Sequence, residues 1–526
     1  MKRPIMLLLT AVFLATFILS SCSTGQQKVT DATTVPATAD EVSAEDAAVI
    51  EAFYANFTKL TEIPRPSHHE EKISRFLYDW AVEKGYNAVQ DENLNVMFDV
   101  PATSGKEALP LVALQVHMDM VAVGADGVDF DPLTDPIKPI RDDKSGTVTA
   151  DGTSLGADDG AGIGMIMTLL EGDAEHGPLR IIITTNEEDG LTGTFNMDPE
   201  WVSTPKYLIN VDAEDSTAMT VSTASADIVS GSKEVETNEP RGNLALTVSI
   251  SGLKGGHSGV EIDKGRCNAT VALTMFLTEL NEQNFAFDIA SLEGGSAPNA
   301  IPDKASCVIV IEKGSKEIVT SAAQSYLKKL QADYKGIENS IEFAVADTAM
   351  PSSVISAQDA DDAVYLITNI IDGVYTMSPD KEDLVESSSN LGTFSLSDKG
   401  SAFITCVRSS VGEKRTKILD EQLSLARTCG YTVKTEKTAD PWPYNPDNKL
   451  MDIAAKVYRE QNGTDYEIIA VHAGLECGSY AVYNPDLMMI CVGPDIKDVH
   501  TPKETLTLGS VPKIFKLLKG ILLSIE

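Results

Sequence analysis

Residues 181–190, Ile-Ile-Ile-Thr-Thr-Asn-Glu-Glu-Asp-Gly, drive three isoleucines toward a core and then stop in three acids. Adjacent carboxylates repel one another, so this exit either faces solvent or awaits positive charge. The same layout recurs. "LVALQVHMDM" (111–120) reads as a buried strand closing in His117, Met118 and Asp119. "KYLINVD" (206–212) reads as a strand closing in Asp212, and "GADDGAG" presents Asp158 just before the apolar helix 160–172. These runs alternate with helical patterns at 46–60 and 69–84. The alternation predicts an α/β fold, a mixed, mostly parallel sheet with helices on both faces. In such a sheet ligands sit beyond the carboxyl ends of the strands, so His117, Asp158, Glu187, Glu188 and Asp212 can converge on one cleft.

Each residue alone has a plain explanation. An acid after a strand is usually a solvated loop, Asp158 can cap the helix that follows, and His-x-Asp is common by chance. Together they form a different case. Histidine and carboxylates suit zinc, and a shared carboxylate suits a two-metal site. The net charge of −36 over 526 residues excludes a nucleic-acid binder, which needs a basic face. It is compatible with binding cations.

A different texture begins near residue 227. "LALTVSISG" (244–252) alternates as a half-covered strand does, and 392–410 reads as a hairpin turning at Asp398-Lys399-Gly400. The α/β style returns from about 440. The chain is therefore expected to hold one discontinuous α/β domain (45–226 and 440–526) with an inserted α+β domain at 227–439.

The N-terminus is read separately. Lys2 and Arg3 precede an apolar stretch from Pro4 to Leu19, too short to span a bilayer. Leu19-Ser20-Ser21-Cys22 resembles a bacterial lipobox. The expectation is a signal peptide at 1–21, lipidation of Cys22 and a flexible polar tether over 22–44. The protein would then be exported and lipid-anchored to a bacterial membrane, on its periplasmic or extracellular face. The six later cysteines form no CxxC pair and read as core residues. His68, His69 and His176 read as solvated.

The stretches "ALQVHMDMV", "GADDGAGIGM", "TTNEEDGLTG", "LINVDAED" and "VHTPKE" resemble, in order, the motifs of the di-zinc peptidases that include carboxypeptidases, aminoacylases and carnosine-splitting dipeptidases. "IPRPSHHEEKI" and "VHAGLECG" point to the aminoacyl-histidine dipeptidase branch, whose members are typically cytosolic. The resemblance implies hydrolysis of dipeptides of broad specificity, with two divalent ions, zinc or else manganese or cobalt. It implies that His117 and Asp212 bind one ion, Glu188 and His500 the other, and that Asp158 bridges both. Glu187 would be the general base, and Asp119 would hydrogen-bond His117 and fix its tautomer. His257 in "LKGGHSGVEI", Asn299 in "APNAIP" and Arg408 in "CVRSS" match lid positions that touch substrate, although each also reads as an ordinary loop or surface residue. His472 and Glu476 are assigned to the substrate side, Glu476 toward an amine. The resemblance also implies that 45–226 and 440–526 form the metal-binding catalytic domain, that the insertion at 227–439 is a lid and dimerisation-type domain, and that a homodimer can form through it. Two other readings stand beside the dipeptidase. One is an aminoacylase-like or longer-peptide exopeptidase; the other is a non-catalytic peptide-binding lipoprotein.

Overall fold

The computed structural model describes residues 43–379, 381 and 384–526. An eight-stranded sheet runs, in spatial order, Asn87–Gln90, Val96–Val100, Leu179–Thr184, Val112–His117, Tyr207–Asn210, Met488–Cys491, Ala218–Thr223 and Glu467–Val471. The four consecutive strands from Leu179–Thr184 to Met488–Cys491 are parallel, and antiparallel pairs flank them. This is the mixed, mostly parallel sheet that the alternation predicts. Ile181 and Ile183 join the same core as Leu114 and Val116, whereas Ile182 joins Ala113, Leu208 and Met489 in another. Strands covered on both faces have no solvent side, which is why the run is apolar at every position. Helices Ala44–Thr61, Ala157–Glu171, Lys449–Asn462 and Val511–Ser524 close the first core. Trp201 and Tyr480, from the short helices Glu200–Ser203 and Cys477–Tyr483, help close the second.

A second sheet of nine strands takes its residues from Ser225 to Ala439. It is antiparallel throughout, in the order Glu342–Thr348, Leu244–Ser251, Ala305–Ile311, Asp288–Gly295, Val385–Ser397, Gly400–Ser409, Ser225–Lys233 and Thr432–Ala439, with Gly373–Met377 added beside Val385–Ser397. Strands Val385–Ser397 and Gly400–Ser409 form the predicted hairpin. Four helices pack with this sheet in a single core.

The order contains a repeat that the residue pattern does not show. Leu244–Ser251, helix Ala269–Glu282, Asp288–Gly295, Ala305–Ile311, helix Lys316–Asp333 and Glu342–Thr348 make one βαββαβ unit. Ser225–Lys233, helix Ala357–Asn369, Val385–Ser397, Gly400–Ser409, helix Gly412–Thr428 and Thr432–Ala439 make another, into which the first is inserted. In both, the strands lie in the order fourth, first, third, second. The units meet through their second strands, with Leu292 opposite Leu396 and Gly295 opposite Thr393.

The chain passes between the sheets at two adjacent points. Thr223 and Trp442 exchange backbone hydrogen bonds, each of 3.0 Å, so departure and return are tied together. All six cysteines from Cys267 to Cys491 are buried and unbridged.

Candidate metal centre

Parallel strands end at one edge of the sheet, and three of these exits furnish the site. Val112–His117 finishes on His117, which is fully buried. Glu187 and Glu188 follow Leu179–Thr184, and Asp212 follows Tyr207–Asn210. Asp158 enters from the first turn of helix Ala157–Glu171. His500 comes from the loop between Ile496–Lys497 and Thr505–Thr507, which are held in a small antiparallel sheet with Thr147–Ala150.

Asp158 stands between two imidazoles. Its Oδ1 is 3.0 Å from His117 Nε2, and its Oδ2 is 3.1 Å from His500 Nε2. Asp212 Oδ1 lies 3.4 Å from His117 Nε2, and Glu188 Oε2 lies 2.8 Å from His500 Nε2. One ligand atom from each of His117, Asp158 and Asp212 falls within 4.8 Å of the others, as does one from each of Asp158, Glu188 and His500. His117, Glu187 and Glu188 make a third such group. The five residues expected as ligands thus meet in two overlapping triads with Asp158 in common.

The cleft is short of positive charge. Burial, reinforced by the charge on Asp158, raises Glu188 to about 7, and burial raises Asp212 to about 6. Glu187 is driven well above the usual carboxylate range by burial, with Glu188 and Asp212 adding to it. Burial pulls the histidines the other way but loses. Asp212, Asp119 and Asp158 hold His117 well above its ordinary value, and hydrogen bonds to Asp158 and Glu188 push His500 up to about 12. Protons are retained because the ionised acids would face one another unpaired. A divalent cation relieves the same repulsion.

The strand ends that carry these residues are themselves braced. Asp119 Oδ1 faces His117 Nδ1 at 3.3 Å and accepts the Glu187 N–H at 3.0 Å. Its Oδ2 accepts Ser67 Oγ at 2.7 Å and the Glu188 N–H at 3.2 Å. Asp159 accepts the N–H of His117 at 3.3 Å and of Gly162 at 2.9 Å. Sequence reasoning missed Asp159, Ser67 and Glu214, the last raised to about 8 by burial and then by Asp158. It also missed Arg65 and Glu504. Both sit inside stretches quoted for the family resemblance, "IPRPSHHEEKI" and "VHTPKE".

His257, Arg408 and His472 form a second cluster. Burial and the Arg408 charge lower His257 to about 4 and His472 to about 3, so both are neutral at ordinary pH. His472 Nε2 is 2.8 Å from Ser388 Oγ. A Cβ on Gly259 would strike both His257 Cε1 and the His472 carbonyl, at 2.7 and 2.8 Å. Asn299 borders the same loop, its carbonyl accepting the Ser258 N–H at 2.8 Å. Glu476 departs from the expected contact with a substrate amine. It is fully enclosed and accepts hydrogen bonds from Gln115 Nε2, at 2.5 Å, and from Thr194 Oγ1. His176 is likewise buried rather than solvated, its Nδ1 2.7 Å from the Gly177 carbonyl.

The sequence profile of Peptidase family M20/M25/M40 matches residues 113–524. The chain belongs to this family. This M20/M25/M40 peptidase is 29% identical over 468 residues to the cytosol non-specific dipeptidase of Escherichia coli (strain K12), covering 89% of this chain and 96% of that relative. Among solved structures it is similar to the aminoacylhistidine dipeptidase of Vibrio alginolyticus, with a TM-score of 0.85 and 29% identity over 90% of this chain and 96% of the other. It shares the fold of the aminopeptidase PepT from Bacillus cereus, with a TM-score of 0.51 and 16% identity over 90% and 98% of the two chains.

The comparison overturns the expectation of an exported, lipid-anchored protein. The E. coli relative, matched along nearly its whole length, is named for the cytosol. An apolar run of sixteen positions and a Leu-Ser-Ser-Cys tetrapeptide are short signals beside a match of 468 residues. The leader, Cys22 and nearly all of the tether lie outside the described residues. Among the described residues no helix is long and apolar enough to cross a membrane.

Proposed function

We propose that this peptidase hydrolyses dipeptides, aminoacyl-histidine substrates among them, with broad side-chain tolerance and dependence on two divalent metal ions. The observation that carries the reading is Asp158, whose two oxygens each face a different histidine. The dipeptidase names of the E. coli and Vibrio relatives support it. The donor set fits the metals, since two imidazoles and three carboxylates are ligands for zinc and also suit manganese or cobalt. His117 and Asp212 would hold one ion, Glu188 and His500 the other, and Asp158 both. When bound, such ions polarise the scissile carbonyl and lower the pKa of water toward about 7.

Glu187 takes a proton from the attacking water and passes it to the leaving amine. Asp119 holds the His117 ring and the backbone beneath both glutamates. Arg408 is 6% exposed, and its Nε has no hydrogen-bond partner among the described residues. An orphaned guanidinium N–H between neutral histidines suits a peptide carboxylate, and we assign that role to Arg408 with His257, Asn299 and His472 around it.

The test is a panel of dipeptides including β-alanyl-histidine, with N-acyl amino acids alongside, offered to the purified chain before and after chelation. Release of amino acids that stops on chelation and returns with metal is expected. Cleavage of the N-acyl compounds alone would make it an acylase, and no chelator-sensitive cleavage would leave a binding protein.

A further inference from the structure

Two buried, oppositely charged side chains brace the ligand-bearing segments, and the chemistry above does not use them. Glu504 is 2% exposed. Its carboxylate accepts four successive backbone N–H groups, from Leu155 at 2.8 Å, Gly156 at 2.9 Å, Ala157 at 2.7 Å and Asp158 at 3.3 Å. Arg65 is 1% exposed. Its guanidinium donates to the carbonyls of Met118 at 2.8 Å, Asp119 at 2.9 Å and Gly156 at 2.5 Å.

The connectivity gives these bonds a purpose. Arg65 fastens the strand end that carries His117 and Asp119 to the loop that carries Asp158. Glu504, four residues after His500, fastens that same loop to the His500 segment. Gly156 is the common point, gripped through its N–H by Glu504 and through its carbonyl by Arg65. It has φ +69°, and a Cβ there would meet Met120 Sδ at 2.6 Å and Arg65 Nη2 at 2.7 Å. Charge-assisted hydrogen bonds of this kind are stronger than neutral ones, and here they converge on Gly156, two residues before the shared ligand Asp158.

We propose that Arg65 and Glu504 are positioning residues that set the place of Asp158 and so govern the affinity of both metal ions together. The proposal rests on the two-metal reading, and it predicts a signature. Displacing a ligand common to two ions weakens both in parallel, whereas damage to His500 or Asp212 falls first on one.

The test titrates Co2+ into the metal-free full chain and follows its visible absorption bands. Glu504→Gln is expected to weaken both binding steps by about 10- to 100-fold, the range for supporting partners of metal ligands, and to shift the bands of both ions. Glu504→Asp should recover part of the affinity. Arg65→Lys keeps the charge but offers one nitrogen to three carbonyls, so it should also weaken both steps; it serves as the second arm if Glu504→Gln does not fold. Ile309→Ala, a cavity in the core of the other sheet, controls for lost stability and should leave Co2+ affinity unchanged. Wild-type affinity and spectrum in a folded Glu504→Gln or Arg65→Lys variant, or loss of one ion alone, overturns the proposal. A wild-type chain that binds no Co2+ fails the two-metal reading before any variant is compared. A chain that binds two ions but cleaves no dipeptide fails the function and leaves the positioning roles standing.

Discussion

Replacing Asp119 by asparagine tests the candidate site where most of its geometry converges. Asp119 remains ionised, because burial would raise its pKa but His117, Ser67 and the Glu187 N–H together bring it below the usual value. Its two oxygens serve four partners. An asparagine keeps one oxygen and must turn its NH2 toward one pair. Facing His117 Nδ1 and the Glu187 N–H, it would meet two donors. Facing Ser67 and Glu188 is cheaper, since the serine hydroxyl can rotate to accept, yet the Glu188 N–H is then left without an acceptor. A buried donor stranded in this way costs about 1–3 kcal/mol, equivalent to about 5- to 150-fold in a rate or binding constant. The backbone of a proposed ligand bears that cost directly. We therefore expect Asp119→Asn to fold, to retain metal at millimolar supply and to lose about 10- to 100-fold in kcat, measured with β-alanyl-histidine beside metal analysis of the same sample. Wild-type kcat at full metal content would refute the argument that these four hydrogen bonds hold the site in register.

Three further outcomes follow from the same geometry. Glu187→Ala should keep both ions and lose most turnover; normal hydrolysis by the fully loaded variant would remove Glu187 as base. Metal affinity should rise steeply between about pH 5.5 and about pH 7.5 and go on rising above it, because Asp212 and Glu188 must shed protons with values near 6 and 7 to bind a cation, and His117 and His500 must shed protons held higher still. Both carboxyl values are raised on folding, so their contribution to metal-free stability is full below about pH 4 and is lost as pH rises through that window. Parallel calorimetry and metal titration should then show stability falling while affinity grows, and a flat affinity profile would contradict the assigned shifts. Gly162→Ala should unfold at a clearly lower temperature, since its Cβ would lie 2.3 Å from Asp159 Oδ1 and 2.5 Å from the Val211 carbonyl; an unchanged midpoint would mean that the helix shifts freely.

The parallel sheet was legible in the chain because its strands are covered on both faces, and an apolar run such as Ile181-Ile182-Ile183 admits few other placements. Four of the proposed ligands were legible because His117, Asp158, Glu188 and Asp212 lie at or just past the boundary of a regular element, whereas His500 sits in a loop and was legible only through the resemblance of "VHTPKE". Glu504 and Arg65 were not. A buried charge satisfied by backbone carbonyls or N–H groups leaves no spacing or periodicity to read, only an arginine between prolines and an acid four residues after a histidine. Glu476 misled for a related reason, because a carboxylate beside a catalytic-looking motif looks alike whether it faces a cleft or lies sealed against Gln115 and Thr194. The duplicated βαββαβ architecture escaped because one unit is threaded into the other, so the matching strands never recur at a fixed interval along the chain.

That threading has a lasting effect. Two identical subunits joined edge to edge must mutate in step, and they part on dilution. Here the seam between Asp288–Gly295 and Val385–Ser397 lies within one polypeptide, so it persists at any concentration and its flanks can specialise independently. His257 and Asn299 belong to one flank and Arg408 to the other, an asymmetry that selection could refine on either side without disturbing its twin.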